Sequence, residues 1–202
     1  MPEKGERRRL QIINTAKEMF IEQGFQSTHI GQICDKLDIA RGTVYQYFSN
    51  KKEIIFALVD SVAENVKEIL DKKSIMGFIE TSANEDIRNV IRERITASIE
   101  AVLSEPIIIK LLYKDIPGIE TEIIAHVDKV LDAVKHVIAD EVQMLKEHGF
   151  FRQNIDPFIT ASFLLGGIIH LVYEYDKEKK DVLNHDVLDA LVLNYLRGVL
   201  VV

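Results

Sequence analysis

The chain has 202 residues, 47% of them hydrophobic and 28% charged, with a formal net charge of −7, enough to bury the core of one or two compact domains. One cysteine, Cys34, excludes an intrachain disulfide and points to a reducing cytoplasm. The charged start, Met1 to Arg9, does not read as a signal peptide. The longest uncharged apolar run, Phe158 to Tyr173, is shorter than a bilayer span, so no membrane contact is expected.

Apolar spacing is helical nearly throughout and predicts an all-α fold. Ile13, Ala16 and Phe20 stripe a first helix that Gly24 can stop. Thr28 can cap a second helix carrying Ile30, Ile33, Cys34 and Leu37. Asp38 to Ala40 read as a turn, and Arg41 to Phe48 as a third helix. Asn50, with Glu53 three residues on, opens a long fourth helix to about Leu70. Asp71 to Ala83 is a loop or a short helix. Further helices are expected over Glu85–Leu103, Ile107–Tyr113, Glu120–Glu147, Pro157–Tyr175 and Asp186–Leu200. Their punctuation is Pro117-Gly118, Gly149, Asp156-Pro157 and Asn184.

Charge is segregated along this series. Through Lys52 the chain holds nine Lys+Arg against six Asp+Glu, a net of +3, which leaves −10 on the remainder. A basic head, residues 1–52, on an acidic body, 53–202, places any phosphate-facing surface at the N-terminus. The last two helices are apolar around more than half their circumference, and Gly166-Gly167 permit close helix approach. Two such helices from each of two chains would form a four-helix interface, with Gly166, Leu188, Leu191, Val192 and Tyr195 as candidate homodimer contacts. The alternative is that both are central helices of one core.

The second and third helices with their tight turn are spaced as a helix-turn-helix, whose second helix presents its N-terminal residues to base edges in the major groove. Arg41, Gly42, Thr43 and Gln46 occupy those positions. Arg41 can reach a guanine edge or a phosphate, and Gln46 suits adenine. Gly42 allows close backbone approach. Tyr45 and Tyr47 offer hydroxyls at the rim, with packing against the first helix as the other reading of Tyr45. Lys51 stands in the first turn of the next helix, where a phosphate oxygen is favoured. Lys4 and Arg7 to Arg9 add general attraction to DNA.

Residues Leu10 to Val59 resemble the tetracycline-repressor-like family of bacterial transcription regulators. The resemblance rests on Gly24-Phe25 with Thr28, on Ile33-Cys34, on Leu37-Asp38-Ile39-Ala40, and on Gly42-Thr43-Val44-Tyr45-Gln46-Tyr47-Phe48 with Lys51 and Ile54. The turn glycine of the family pattern is Asp38 here, and the usual serine cap is Ala40. Cys34 replaces a small alanine and reads as core packing rather than redox sensing. The resemblance implies phosphate contacts from Thr28, Thr43, Tyr45, Tyr47 and Lys51, and base contacts from Arg41, Gly42, Thr43 and Gln46.

It also implies a larger helical body that binds a small effector in an apolar cavity and dimerises, with the fourth helix as a lever. The implied function is a cytoplasmic repressor released from a pseudo-palindromic double-stranded operator. Candidate cavity residues are Ile99, Leu103, Leu112, Tyr113, Ile116, Phe158, Phe163 and Tyr173, with Arg94, Glu100, His126 and His170 as polar candidates. No cofactor, metal site or catalytic residue is expected. A di-metal bundle uses Glu-x-x-His on paired helices, whereas Glu122 and His126 are four apart and unmatched. The rival readings are a helical adaptor or architectural DNA-binding protein without effector, and a helical-bundle enzyme.

Overall fold

Wherever apolar side chains recur every three to four positions, the computed structural model is helical. It describes residues 4–71, 75–77, 87–113 and 119–200. The helices are α1 Lys4–Gln23, α2 Ile30–Leu37, α3 Arg41–Tyr45, α4 Lys51–Ile69, α5 Ile87–Leu103, α6 Pro106–Leu112, α7 Thr121–Glu147, α8 Pro157–Lys177 and α9 His185–Val199. Most ends fall within two residues of the sequence expectation, the ordinary fraying of helix termini. Most of the stretch Asp71 to Ala83, with Ile116, Pro117-Gly118 and the side chain of Leu112, lies outside the described residues. An isolated antiparallel bridge, Phe151 to Leu200, is the only β pairing among the described residues.

The chain divides into two units, Met1–Val62 with Pro106–Val130, and Ala63–Glu105 with Leu131–Val202. In the first, the buried residues Ile12, Ile13, Ala16 and Phe20 of α1 meet Phe25, Ile33, Cys34, Val44 and Phe48. The Phe20 and Phe25 rings lie 5.3 Å apart. Cys34 is buried, as expected, and burial pushes its thiol above the usual range, which keeps it out of thiolate chemistry. In the second unit the buried stripes repeat at helical spacing: Ile91, Ile95 and Ile99 on α5, Val134, Ile138, Val142 and Leu145 on α7, and Leu188, Val192 and Leu196 on α9.

Local chemistry explains the breaks. Gly24 and Gly149 take positive φ, 85° and 79°, and end α1 and α7 in the left-handed conformation. Asp38 does the same for α2 at φ 51°, where its N–H reaches the carbonyls of Asp35 and Cys34. Asp is among the few side-chain-bearing residues that visit this region. Asn50 Oδ1 accepts from the N–H groups of Lys52 and Glu53 at 2.9 and 3.2 Å, while Glu53 accepts from Ser49 N–H at 2.7 Å. Asp156 and Asn184 cap α8 and α9 through the N–H groups of Ile159 and Asp186.

Three expectations need correction. α3 ends at Tyr45 rather than Phe48, because Gln46 and Tyr47 continue as a turn that drops the Phe48 ring into the core. The residue at the N-cap of α2 is His29, not Thr28; Gln32 Oε1 accepts from His29 N–H at 2.7 Å. And α8, running on past Tyr173 to Lys177, has the length and apolarity of a bilayer span, which the uncharged run alone lacked.

Candidate nucleic-acid interface

α3 is five residues long and is held by one buried side chain, Val44, so its other residues are free to face outward. Arg41, Gly42, Tyr45 and Gln46 are exposed, Tyr45 at 54%, and Thr43 is half-buried. The alternative reading of Tyr45 as packing therefore fails at that exposure. Ala40 at the N-cap makes no side-chain bond, as its methyl group requires, and leaves the N–H groups of the first turn uncapped by a side chain.

Gly42 has an ordinary φ, and a Cβ built on it would meet nothing within 4 Å. The head's own packing does not need that glycine. Arg41 lies back across α2, where its Nη2 would be 2.8 Å from a Cβ at Gly31. Gly31 thus gives the guanidinium its resting place beside the N-terminus of α2. The Tyr47 hydroxyl sits near Gly5 at the start of α1, and the Arg9 guanidinium lies 5.4 Å over the Phe48 ring.

Two of the expected phosphate contacts are spent inside the head. Thr28 is fully buried, and its hydroxyl donates to the Gly24 carbonyl at 2.8 Å, with the Met19 carbonyl 3.3 Å away. Its side chain ties α1 to the start of α2 and does not reach the surface. Lys51 Nζ donates to the carbonyls of Phe25, Gln26 and Thr28 at 2.7, 3.3 and 3.2 Å and stands 4.2 Å over the Phe25 ring. An ammonium has three donors, and all three are used. Burial lowers the Lys51 pKa from its ordinary value. Lys51 is a clasp between the loop after α1 and the start of α4. The free N–H groups of a helix start favour a phosphate at this position, whereas three carbonyls turned toward one point are not written in the local sequence.

Other head charges are neutralised too. Lys36 pairs with Glu18 at 2.9 Å, and Lys52 with Glu120 at 3.2 Å and with Glu122. The +3 count therefore overstates what the head offers a phosphate through these lysines. Arg41 and the basic residues at the start of α1 form no ion pair among the described residues. His29 is exposed at the N-cap of α2, the position at which the sequence suggested Thr28. Its signal was position: it is the last residue before the apolar period of α2 begins.

The expected cavity residues separate. Ile99 is fully buried, and Leu103 and Tyr173 are half-buried, all in the second unit; Tyr113 is half-buried in the first. Phe163 is 82% exposed and His170 is exposed, both on α8, so neither lines an enclosed wall of its own unit. Phe158 is covered from one side by Lys135 and His136, at 4.5 and 5.5 Å. His126 bonds Asp60 at 2.8 Å and stacks on Phe56. Arg94, only 7% exposed, forks onto Glu141 at 2.6 and 3.2 Å, and its Nη1 has no hydrogen-bond partner among the described residues. Glu100 is exposed.

Of the expected dimer contacts, Leu188 and Val192 are corrected: both are buried within their own unit. Tyr195 is half-buried with its ring edge on Phe151 at 6.2 Å, and burial with the Glu141 charge pushes its hydroxyl well above the usual range. Gly166 and Gly167 are exposed beside Ile159 and Phe163, and a Cβ at either glycine would meet nothing within 4 Å. Among the described residues no three His, Cys, Asp or Glu side chains gather as metal ligands.

A short reading helix with an outward polar N-terminal face, set on a three-helix core, defines a helix-turn-helix DNA-binding head. Residues 12–58 match the family model described as bacterial regulatory proteins, tetR family. YvkB of Bacillus subtilis, an uncharacterized HTH-type transcriptional regulator, is 22% identical over 171 residues, covering 82% of this chain and 84% of that protein. The fold is that of FadR from Bacillus halodurans, a fatty acid degradation regulator, at TM-score 0.72 and 19% identity over 95% of both chains. FadR from Bacillus subtilis, solved in complex with stearoyl-CoA, superposes at TM-score 0.71 and 16% identity over 94% of this chain and 98% of that one. Residues 12–58 are thus a helix-turn-helix head of the tetR-family type, the head of bacterial regulatory proteins.

Proposed function

We propose that the protein is a cytoplasmic, homodimeric repressor, not an enzyme, whose two heads read a pseudo-palindromic operator and whose body releases it on binding a small effector. The functional division we assign is residues 1–52 for DNA and 53–202 for effector and partner. The observation that carries the DNA reading is Gly42. A helical glycine costs about 1 kcal/mol relative to alanine, and nothing in the head requires one at this exposed site. A surface approaching from outside does. Arg41, Gly42, Thr43 and Gln46 then face base edges. Tyr45, Tyr47 and the first turn of α2 at His29 face phosphates, in place of Thr28 and Lys51.

The same reasoning supports the homodimer. Gly166 and Gly167 lie mid-helix on α8, unforced by their own unit, beside exposed Ile159 and Phe163. A second copy packed on this face covers the apolar surface that would otherwise suit lipid. Half-site centres then lie roughly 34 Å apart, or somewhat more. For the effector, the stearoyl-CoA held by a protein of the same fold favours an acyl-bearing ligand. Within the second unit Ile99, Leu103 and Tyr173 remain the apolar wall candidates, and Arg94 Nη1 is the buried donor we assign to the ligand's polar end.

Gln46→Ala tests the reading directly. We expect discrimination against a changed adenine-containing step to fall by about tenfold, the worth of one bidentate base contact, while binding to random duplex is retained. The measurement is a titration of single-site operator variants. Unchanged discrimination would remove Gln46 from base reading and favour an architectural DNA-binding role.

A further inference from the structure

α2 opens on Ile30 and Gly31, just ahead of its buried residues Ile33 and Cys34. Gly31 is half-buried and does not take a positive φ, so its backbone conformation does not ask for glycine. A glycine inside a helix is destabilising relative to alanine. What it supplies here is room. The three atoms nearest to a Cβ built on it are Nη2, Cζ and Nε of Arg41, at 2.8, 3.4 and 3.5 Å. All three belong to one guanidinium, which takes the space of the missing side chain. Gly42 is the opposite case, since its Cβ would meet nothing within 4 Å.

Arg41 is exposed, and its guanidinium forms no hydrogen bond or ion pair among the described residues. The first turn of α2 carries the positive end of the helix dipole, which opposes a cation placed there. The guanidinium therefore rests on Gly31 by fit and not by charge. Its charge is felt further along the same helix: burial raises the Cys34 thiol pKa, and the Arg41 charge works against that rise. An exposed arginine otherwise samples many rotamers, and fixing it on a partner costs conformational entropy. A side chain already laid in one direction loses less of that freedom when it binds.

Arg41 is the first residue of α3, at the end of the reading helix that meets base edges. We propose that Gly31 is a positioning residue for base reading: by leaving room on α2, it lays the Arg41 guanidinium in the direction from which it forks onto a guanine. This role rests on the reading of Arg41 as a base contact. The specificity of the head is then set partly by a residue on the other helix of the motif, which itself touches no base. A side chain at position 31 turns the guanidinium aside, because even a methyl group there stands closer to Nη2 than packed atoms come. The displaced atoms are the far end of a flexible side chain, so the fold absorbs the change. The same substitution removes backbone freedom from the unfolded chain, so glycine stands here at a cost to the stability of the head.

The test is titration of the full chain against the duplex enriched from a random pool and against its single-base-pair variants. Arg41→Ala is expected to erase discrimination at one base pair of each half-site. Gly31→Ala should lower discrimination at that same base pair by about fivefold, the lower end of what a bidentate arginine–guanine contact contributes. Its binding to random duplex should be retained, and its unfolding midpoint should equal or exceed that of the parent. Added to Arg41→Ala, it should change nothing further, because a positioning residue has no effect once the residue it positions is gone. Full discrimination by Gly31→Ala overturns the role. So does a loss that persists undiminished beside Arg41→Ala, since Gly31 then meets the DNA itself, or an equal loss for operator and random duplex, since Arg41 then serves a phosphate. A lowered unfolding midpoint assigns the glycine to folding and overturns the role as well. If Arg41→Ala keeps discrimination at every base pair, the base reading of Arg41 fails and its positioning with it. A loss with Arg41→Ala and none with Gly31→Ala leaves that reading in place and removes Gly31 alone.

Discussion

Arg94→Ala is expected to lower the unfolding free energy by about 3–5 kcal/mol at neutral pH, because it leaves a buried carboxylate without its partner. Arg94 on α5 and Glu141 on α7 are both buried, and the fork between them is a polar link inside the apolar core of the second unit. Burial pushes the Glu141 carboxyl above the usual range, more strongly than Arg94 pulls it down. The folded state therefore keeps the Glu141 proton to higher pH than the unfolded chain does. Stability from this group is complete below the ordinary carboxylate range and is lost as pH rises through the raised folded value. Without the guanidinium the folded value rises further. The loss caused by Arg94→Ala should then shrink in mildly acidic solution, where Glu141 takes up a proton and needs no cation. Urea unfolding at neutral and mildly acidic pH checks this. A loss below about 1 kcal/mol at neutral pH would mean that the pair is as well screened as a surface one.

Lys51→Ala is expected to cost about 2–3 kcal/mol in the DNA-binding head, through three carbonyls left without a donor and a lost cation–π contact. The carbonyls belong to Phe25, Gln26 and Thr28, which form the connection from α1 into α2. Lys51→Met keeps most of the stem, so the difference between the two variants isolates packing from the ammonium. At temperatures where both variants are folded, the dependence of DNA affinity on salt should match that of the parent. If instead the salt slope drops by about one, the ammonium leaves its carbonyls for a phosphate when DNA binds.

The head was legible because its rules are local. Apolar period, the left-handed Asp38 and the Asn50 cap are each written in a few adjacent residues, and the structure places them as read. The polar ends of Lys51 and Thr28 were not legible. Their partners lie across a loop whose carbonyl directions no periodicity encodes. On α9 the sequence could not divide the many apolar residues after Asp186 into an inner and an outer face. Leu188 and Val192 turn inward, and Leu193 outward.

Sequence-specific DNA reading by a dimer is the central claim, and selection of bound duplexes from a random pool at moderate salt tests it most directly. An enriched inverted repeat with half-site centres about 34 Å apart, or somewhat further, is the predicted result. A folded dimer that enriches no sequence above the starting pool would contradict it.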